Sequence, residues 1–333
     1  MKYIDVETTD PAFNLALEQY AFDELSENDD IFLLWQNDNA IIIGKNQNTY
    51  LEINTDYVKQ NKIRVVRRLS GGGAVYHDLG NLNFTFIMRE KEKHFDFSKF
   101  CRPVVTALKK LGVTAEINGR NDMVIDGKKF SGNAQYFKNG KIMHHGTLMY
   151  DSNLEVVSNA LNVSQEKMIT KGVKSIKSHV TNIRPYMENK NIPIREFKKL
   201  LVEHMFEETN LTEYPLTEED FSRVQEIADA IYETWEWNYG KSPQYEICRK
   251  IRLEGCGQIE ICMNIENECI ADFDIYGDYF SYKDKEGLCN AVNGSALLKE
   301  ELIRRLEDID VGSYIHNFTV NGLLQLILGN EEP

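Results

Sequence analysis

The chain has 333 residues, 52 acidic against 38 basic side chains, a formal net charge of −14 and 42% hydrophobic content. Such a chain is long enough for one large domain plus a small one, and its acidity excludes a general nucleic-acid binder, which needs a basic surface to displace counterions. It contains no run of about 18 apolar residues to span a membrane, and Met1-Lys2-Tyr3-Ile4-Asp5-Val6-Glu7 lacks the basic-then-apolar profile of a signal peptide, so a cytoplasmic location is expected; a monomer is expected separately.

In chain order, Pro11 to Glu27 reads as a helix, with Phe13, Leu17, Tyr20 and Leu25 at helical spacing and Thr9 or Asp10 as its cap. Ile31–Trp35 and Ala40–Gly44 read as short strands joined through Asn37-Asp38-Asn39, a hairpin signal. A polar helical stretch near 50–61 precedes Arg67-Arg68-Leu69-Ser70-Gly71-Gly72-Gly73, after which a patterned strand begins and carries His77 and Asp78. Three glycines lose much entropy on folding and add nothing to a core. They fit either a backbone that approaches an anionic ligand, with the arginine forks beside it, or a solvated hairpin turn. The loop lacks the Gly-x-Gly-x-x-Gly spacing and a following helix, and no Gly-Lys-Ser/Thr closes it. Neither a dinucleotide fingerprint nor a Walker loop is therefore indicated.

Phe97–Leu111 reads as an amphipathic helix stopped by Gly112. From Ala115 to Tyr150 strands follow, with tight turns at Asp126-Gly127 and Asn139-Gly140. Alternation places Lys129, Ser131 and Asn133 on one face of that hairpin and Lys128 and Phe130 on the other. Gly132 beside the small Ala134 implies close packing against the strand. Helices are expected at about 153–162, 194–209 and 217–234. Between the first two, Lys171, Lys174 and Lys177 are spaced by three, as a solvated face or as a loop folding over an anion. Trp235 to Pro243 breaks the last helix; three strands between about 246 and 283 and helices near 295–307 and 320–328 follow. Five of the six cysteines, Cys248, Cys256, Cys262, Cys269 and Cys289, lie in this last third without a Cys-x-x-Cys pair. They read as buried reduced thiols rather than as a zinc site.

The blocks Arg67-Arg68-x-Ser-Gly-Gly-Gly-Ala-Val-Tyr-His-Asp, Asn121-Asp122, Asp126-Gly-Lys-Lys-Phe-Ser-Gly-Asn-Ala134, His144-His145-Gly-Thr and Val180-Thr-Asn182, in that order and spacing, resemble those of a lipoate–protein ligase over nearly the whole chain. The resemblance implies an α+β fold shared by biotinyl and lipoyl protein ligases: a mixed, mostly antiparallel sheet flanked by helices in a catalytic domain, 1–245, followed by a small α+β accessory domain, 246–333. It implies that free lipoate and MgATP give lipoyl-AMP and pyrophosphate, and that the acyl group then passes to a lysine of a lipoyl domain, on a 2-oxoacid dehydrogenase E2 subunit or a glycine-cleavage H protein. By resemblance Lys129 is catalytic, touching both the acyl carboxyl and the α-phosphate. Arg68 and Gly71, Gly72, Gly73, Ala74, Val75, Tyr76 and His77 line the nucleotide and acyl site, with Asp122, Ser131, Gly132 and His145. Asp122 either positions Lys129 or holds magnesium, and the metal ligands are not assigned. His77, Asp78 and His145 either order the loop or contact ligand. The segment 171–182 resembles a loop closing over the adenylate, but His179 stands where the family often has arginine, which weakens phosphate contact at neutral pH.

Three other readings compete. An octanoyl or lipoyl transferase would need a cysteine near the lysine strand, and none lies between Cys101 and Cys248. A biotin ligase would interleave arginine and glycine in its loop. A non-catalytic lipoate-binding paralogue would not need Lys129, Arg68 and the three glycines together.

Overall fold

A computed structural model describes residues 1–27, 29–90, 94–119, 121–161, 179–207, 211–240, 247–266 and 269–329. The expected loop lysines Lys171, Lys174 and Lys177 and the expected domain join at 245/246 lie outside the described residues. Two compact units are present. The first comprises Met1–Ile43, Thr49–Leu69 and Ala74–Asn238; the second comprises Gly44–Asn48, Ser70–Gly73 and Tyr239–Pro333.

In the first unit β1 (Lys2–Asp5) leads to α1 (Pro11–Asp23). Asp10 caps α1, its side chain accepting from the N–H groups of Ala12 and Phe13, while Pro11 supplies a preset φ at the first position. Then come β2 (Ile31–Trp35), β3 (Ala40–Ile43), α2 (Thr49–Glu52), α3 (Thr55–Gln60), β4 (Arg64–Arg67), β5 (Val75–His77) and β6 (Asn81–Arg89). After α4 (Ser98–Lys110) the chain forms β7 (Glu116–Asn118), β8 (Asp122–Ile125), β9 (Lys128–Lys138) and β10 (Lys141–Met149). Both hairpin turns have the left-handed pairs that their sequences demand: Asp126 and Gly127 at φ 50° and 72°, Asn139 and Gly140 at 53° and 70°. Helices α5 (Leu154–Ala160) and α6 (Ile194–Met205), strand β11 (Thr212–Glu213), α7 (Glu218–Ile227) with a π turn over Ala228–Tyr232, and α8 (Trp235–Asn238) complete the unit.

The large sheet runs β11-β1-β2-β6-β10-β9-β8-β7. Five of its seven pairings are antiparallel, and β1 is parallel to both neighbours, so the mixed, mostly antiparallel sheet of an α+β fold is observed. A second sheet, β4-β3-β5, corrects two expectations. Strands β2 and β3 do not form a hairpin but enter different sheets. Between them Asn37 is fully buried and tied to Asn14 and His77, and the Asp38 N–H donates to the Thr9 carbonyl. Those inward contacts turn a hairpin signal into a crossover. Likewise β4 and β5 do not pair across the glycines; they flank β3, parallel and antiparallel respectively.

The second unit holds the meander β12 (Ile247–Leu253), β13 (Gly257–Glu266) and β14 (Cys269–Gly277), then α9 (Glu286–Val292), α10 (Lys299–Leu306), α11 (Val311–Tyr314) and α12 (Val320–Leu328). Its inner strand face, with Ile259, Ile261 and Ile275, packs with Leu288, Leu302, Leu323 and Ile327 of the helices. Helix α9 was not expected, because only Leu288, Cys289 and Val292 face that core in a short glycine-containing segment. The reading of all cysteines as reduced is also corrected. Cys248 and Cys262 stand directly opposite in the β12/β13 ladder, 4.2 Å apart at Cα, and form a disulfide, while Cys101, Cys256, Cys269 and Cys289 are free.

Candidate active site

Strand β6 alternates Asn81-Leu82-Asn83-Phe84-Thr85-Phe86, yet all six side chains are buried, so the large sheet has one aromatic and one polar face. On the aromatic face Phe86 packs on Phe32 (4.8 Å between centroids) and Phe100, and His144 stacks on Phe100 at 4.7 Å. On the polar face Thr85 donates to the Glu18 carboxylate of α1 at 2.5 Å and accepts from Trp35 Nε1 at 2.9 Å. His145 Nδ1 lies 3.0 Å from the same carboxylate, which is itself fully buried. Asn83 receives the Asn81 amide at 2.8 Å and reaches toward His77 Nδ1.

His77 Nδ1 accepts from the Asn37 amide at 3.1 Å, which leaves the proton on Nε2. That buried N–H finds no partner among the described residues, and burial together with Arg68 pushes the imidazole pKa down to about 3. Asp78 orders the turn instead: its two oxygens accept from the Gly80 and Asn153 N–H groups. Arg68 is buried with Nη1 donating to the Ile42 carbonyl, and burial lowers its pKa to about 10 against the opposing pull of Glu18. Arg67, read with it as an anion holder, is a structural clamp. Its guanidinium donates to the carbonyls of Trp237 and Asn238 and to Thr49 Oγ1, and Trp237 Nε1 returns a bond to its carbonyl. Ala74 and Val75 are half-buried, whereas Tyr76 turns its hydroxyl to Asn39.

Lys129 sits on the polar face, contrary to simple alternation. Ladder partners run Asp122↔Gly132 and Met123↔Ser131, then shift to Val124↔Lys129, so Phe130 is an extra residue. Such a bulge reverses the side on which the preceding side chain lies. Consequently the Lys129 ammonium lies over Gly132, where an added Cβ would stand 2.9 Å from Nζ, and it pairs with Asp122 at 2.7 Å. Ser131 and Asn133 remain on the aromatic face, bonded to each other at 3.2 Å, so the Ser131 hydroxyl is not brought to the lysine. The Lys129 backbone is fixed as well, its N–H donating to the His179 carbonyl and its carbonyl accepting from Thr181.

The glycine loop belongs to the second unit. A Cβ on Gly71 would meet the Tyr279 carbonyl oxygen at 2.3 Å, and Gly72 has φ 88° with its N–H donating to that carbonyl. Both therefore have a structural reason to be glycine. Around Gly73 a Cβ would meet nothing within 4 Å, so the fold itself does not demand glycine there.

Sequence reasoning missed Glu18, Trp35, Asn37, Asn81, Asn83 and Thr85. The strict polar–apolar alternation of β6 inside an otherwise buried strand was the available signal. Cys101, the one cysteine of the first unit, is buried in α4 with its thiol pushed up to about 12, unsuited to nucleophilic work at neutral pH. Among the described residues, the one group with metal-ligand spacing is Cys248, Glu260 and Cys262, whose two sulfurs are already joined in the disulfide and which lacks the oxygen ligands magnesium takes. No helix among them is long and apolar enough to cross a membrane.

Residues 10–206 match the family model of the lipoyl protein ligase A/B catalytic domain, and 242–327 match that of the bacterial lipoate protein ligase C-terminus. The lipoate-protein ligase LplJ of Bacillus subtilis is 43% identical over 98% of this chain and 100% of its own length. LipL1 of P. falciparum, solved in complex with lipoate, shares the fold at a TM-score of 0.81 and 24% identity, covering 99% of this chain and 100% of that one. A lipoate-protein ligase A bound with ATP superimposes at a TM-score of 0.62 and 28% identity over 72% of this chain and 98% of that one. With a catalytic-domain match over more than half its length and a full-length relative at this identity, the chain belongs to the lipoate–protein ligase family.

Proposed function

We propose that the protein activates free lipoate with MgATP and then transfers the lipoyl group to one lysine of a lipoyl domain, with 1–245 as the catalytic domain and 246–333 as an accessory domain. In the first step a lipoate oxygen attacks the α-phosphorus and pyrophosphate leaves. Two anions must meet, so positive charge and aimed donors are needed where they do. The observation that carries this reading is the Lys129 ammonium held on the polar sheet face by Asp122, with Gly132 leaving room beneath it. A compact ammonium with three donors can bridge the carboxyl and the α-phosphate as charge shifts between them. Asp122, paired at 2.7 Å, fits the positioning role, and magnesium enters as part of the MgATP substrate. Arg68, His77 and His145 line the remaining site. The buried Nε2–H of His77 is a donor kept for a ligand oxygen. In the second step the acceptor amine attacks the acyl carbon, AMP leaves, and an amide forms without a covalent enzyme intermediate. The acceptors are lipoyl domains of dehydrogenase E2 subunits or a glycine-cleavage H protein. Water must be kept from the adenylate until the acceptor amine arrives.

Lipoate-dependent ATP–pyrophosphate exchange tests the reading. Lys129→Ala is expected to lower exchange about a hundredfold or more, the scale of losing one transition-state donor. Exchange near the wild-type rate in that variant, or no exchange in the wild-type protein, would overturn it. A thioester transferase would show no exchange, and the buried, high-pKa Cys101 already speaks against one.

A further inference from the structure

The amide of Asn133 is buried in the aromatic face of the sheet, where an apolar side chain would pack without any polar group to satisfy. Every one of its donors and acceptors is nevertheless used. Its main-chain N–H and its Nδ2 both donate to the Asn121 carbonyl at 3.0 Å, and Asn121 Nδ2 donates back to the Asn133 carbonyl at 2.6 Å. The second Nδ2 hydrogen goes to Ser131 Oγ at 3.2 Å. Oδ1 faces His144 Nε2 at 3.3 Å. Because Gln135 Nε2 donates to His144 Nδ1 at 3.0 Å, the proton of that imidazole sits on Nε2 and points at Asn133. Gly146 completes the seat, since a Cβ there would lie 2.1 Å from Asn133 Oδ1.

The clamp grips the chain at residue 121, one residue before Asp122, whose carboxylate holds the Lys129 ammonium on the opposite face. It also spans the ladder just beyond the Phe130 bulge. We infer that Asn133 is a positioning residue for the ligase reaction: through Asn121 it sets Asp122, and through Asp122 the Lys129 ammonium, with His144 and Gly146 fixing its amide from behind. This rests on the assignment of Lys129 above.

The test uses the full chain and lipoate-dependent exchange, with kcat separated from KM and folding followed by urea. Asn133→Ala is expected to lower kcat by about 10- to 100-fold, the range for a misplaced catalytic group, with KM for ATP and lipoate changed less than about threefold. Asn121→Ala, at a half-buried site where the main-chain carbonyl that Asn133 grips is kept, should shift kcat the same way to a smaller extent, and it decides the matter if the first variant does not fold. In an Asp122→Asn background the loss from Asn133→Ala should shrink to about threefold or less, as expected when two residues act through one path. Wild-type kcat in the folded variants, or an undiminished loss in that background, overturns the inference. Exchange that survives Lys129→Ala overturns the parent reading instead.

Discussion

Replacing Gly132 by alanine separates the geometry of Lys129 from its chemistry. The new Cβ would stand 2.9 Å from Lys129 Nζ and 3.0 Å from Cε, so the flexible end of the lysine must shift and its 2.7 Å pair with Asp122 is disturbed. Folding should barely register the change. The ion pair is partly exposed, and such pairs contribute only about 0.2–1 kcal/mol. Gly132 has no left-handed φ, so alanine also restricts the unfolded chain and returns about 0.4–1 kcal/mol. The two effects leave a net change of about zero. Catalysis has no such offset: a displacement of about 1 Å of a catalytic group lowers rate about a hundredfold, equivalent to about 2.7 kcal/mol. The expected signature is therefore exchange reduced about a hundredfold at an unchanged urea midpoint. Exchange within about threefold of wild type at that midpoint would refute the reasoning, because the ammonium would then work from a position this geometry forbids.

Gly71→Ala drives a Cβ against the Tyr279 carbonyl and should lower stability by about 1–3 kcal/mol, the usual penalty of overpacking. Gly73→Ala should leave the urea midpoint unchanged and raise KM for ATP or lipoate; a destabilised Gly73→Ala or a neutral Gly71→Ala would reverse the assignment. Alkylation of denatured protein prepared without reductant should label four cysteines, and all six after reduction; six labels in both would show Cys248 and Cys262 unbonded. Acid should weaken the fold through the buried neutral imidazoles of His77 and His144. Their unfolded forms bind a proton below about pH 6.5 while the folded forms do not, so each contributes stability above that value and loses it toward lower pH by up to about 1.4 kcal/mol per unit. The stability advantage of wild type over His77→Gln should shrink between pH 7 and 5 in urea titrations, and a pH-independent difference would contradict it.

Elements whose determinants are local were legible in the sequence. The Asp126-Gly127 and Asn139-Gly140 turns need left-handed residues and name their own hairpins, Asp10 with Pro11 announces α1, and the C-terminal meander follows from its alternation. What escaped depends on partners distant in the chain. Glu18 looks like one polar residue on a nearly all-buried helix until Thr85 and His145 arrive from β6 and β10. The side on which Lys129 lies hangs on one extra residue, Phe130, which alternation cannot reveal. The partition of the two arginines was hidden for the same reason, since Arg67 is claimed by Trp237 and Asn238 some 170 positions later. The Cys248–Cys262 bond required the register of β12 against β13, not the spacing of thiols.

The absent Cβ of Gly146 and the amide oxygen of Asn133 occupy the same volume. Positions 133 and 146 are thus not independent coordinates for protein engineering. A library randomising residue 146 alone would return glycine almost exclusively, whereas randomising 133 and 146 together with Phe84, whose ring a Cβ at 146 would meet at 2.6 Å, should recover compensated combinations in which 133 and 84 shrink as 146 grows. Folded members of that second set would keep the sheet while losing the grip on Asn121, and so would yield scaffolds rather than catalysts.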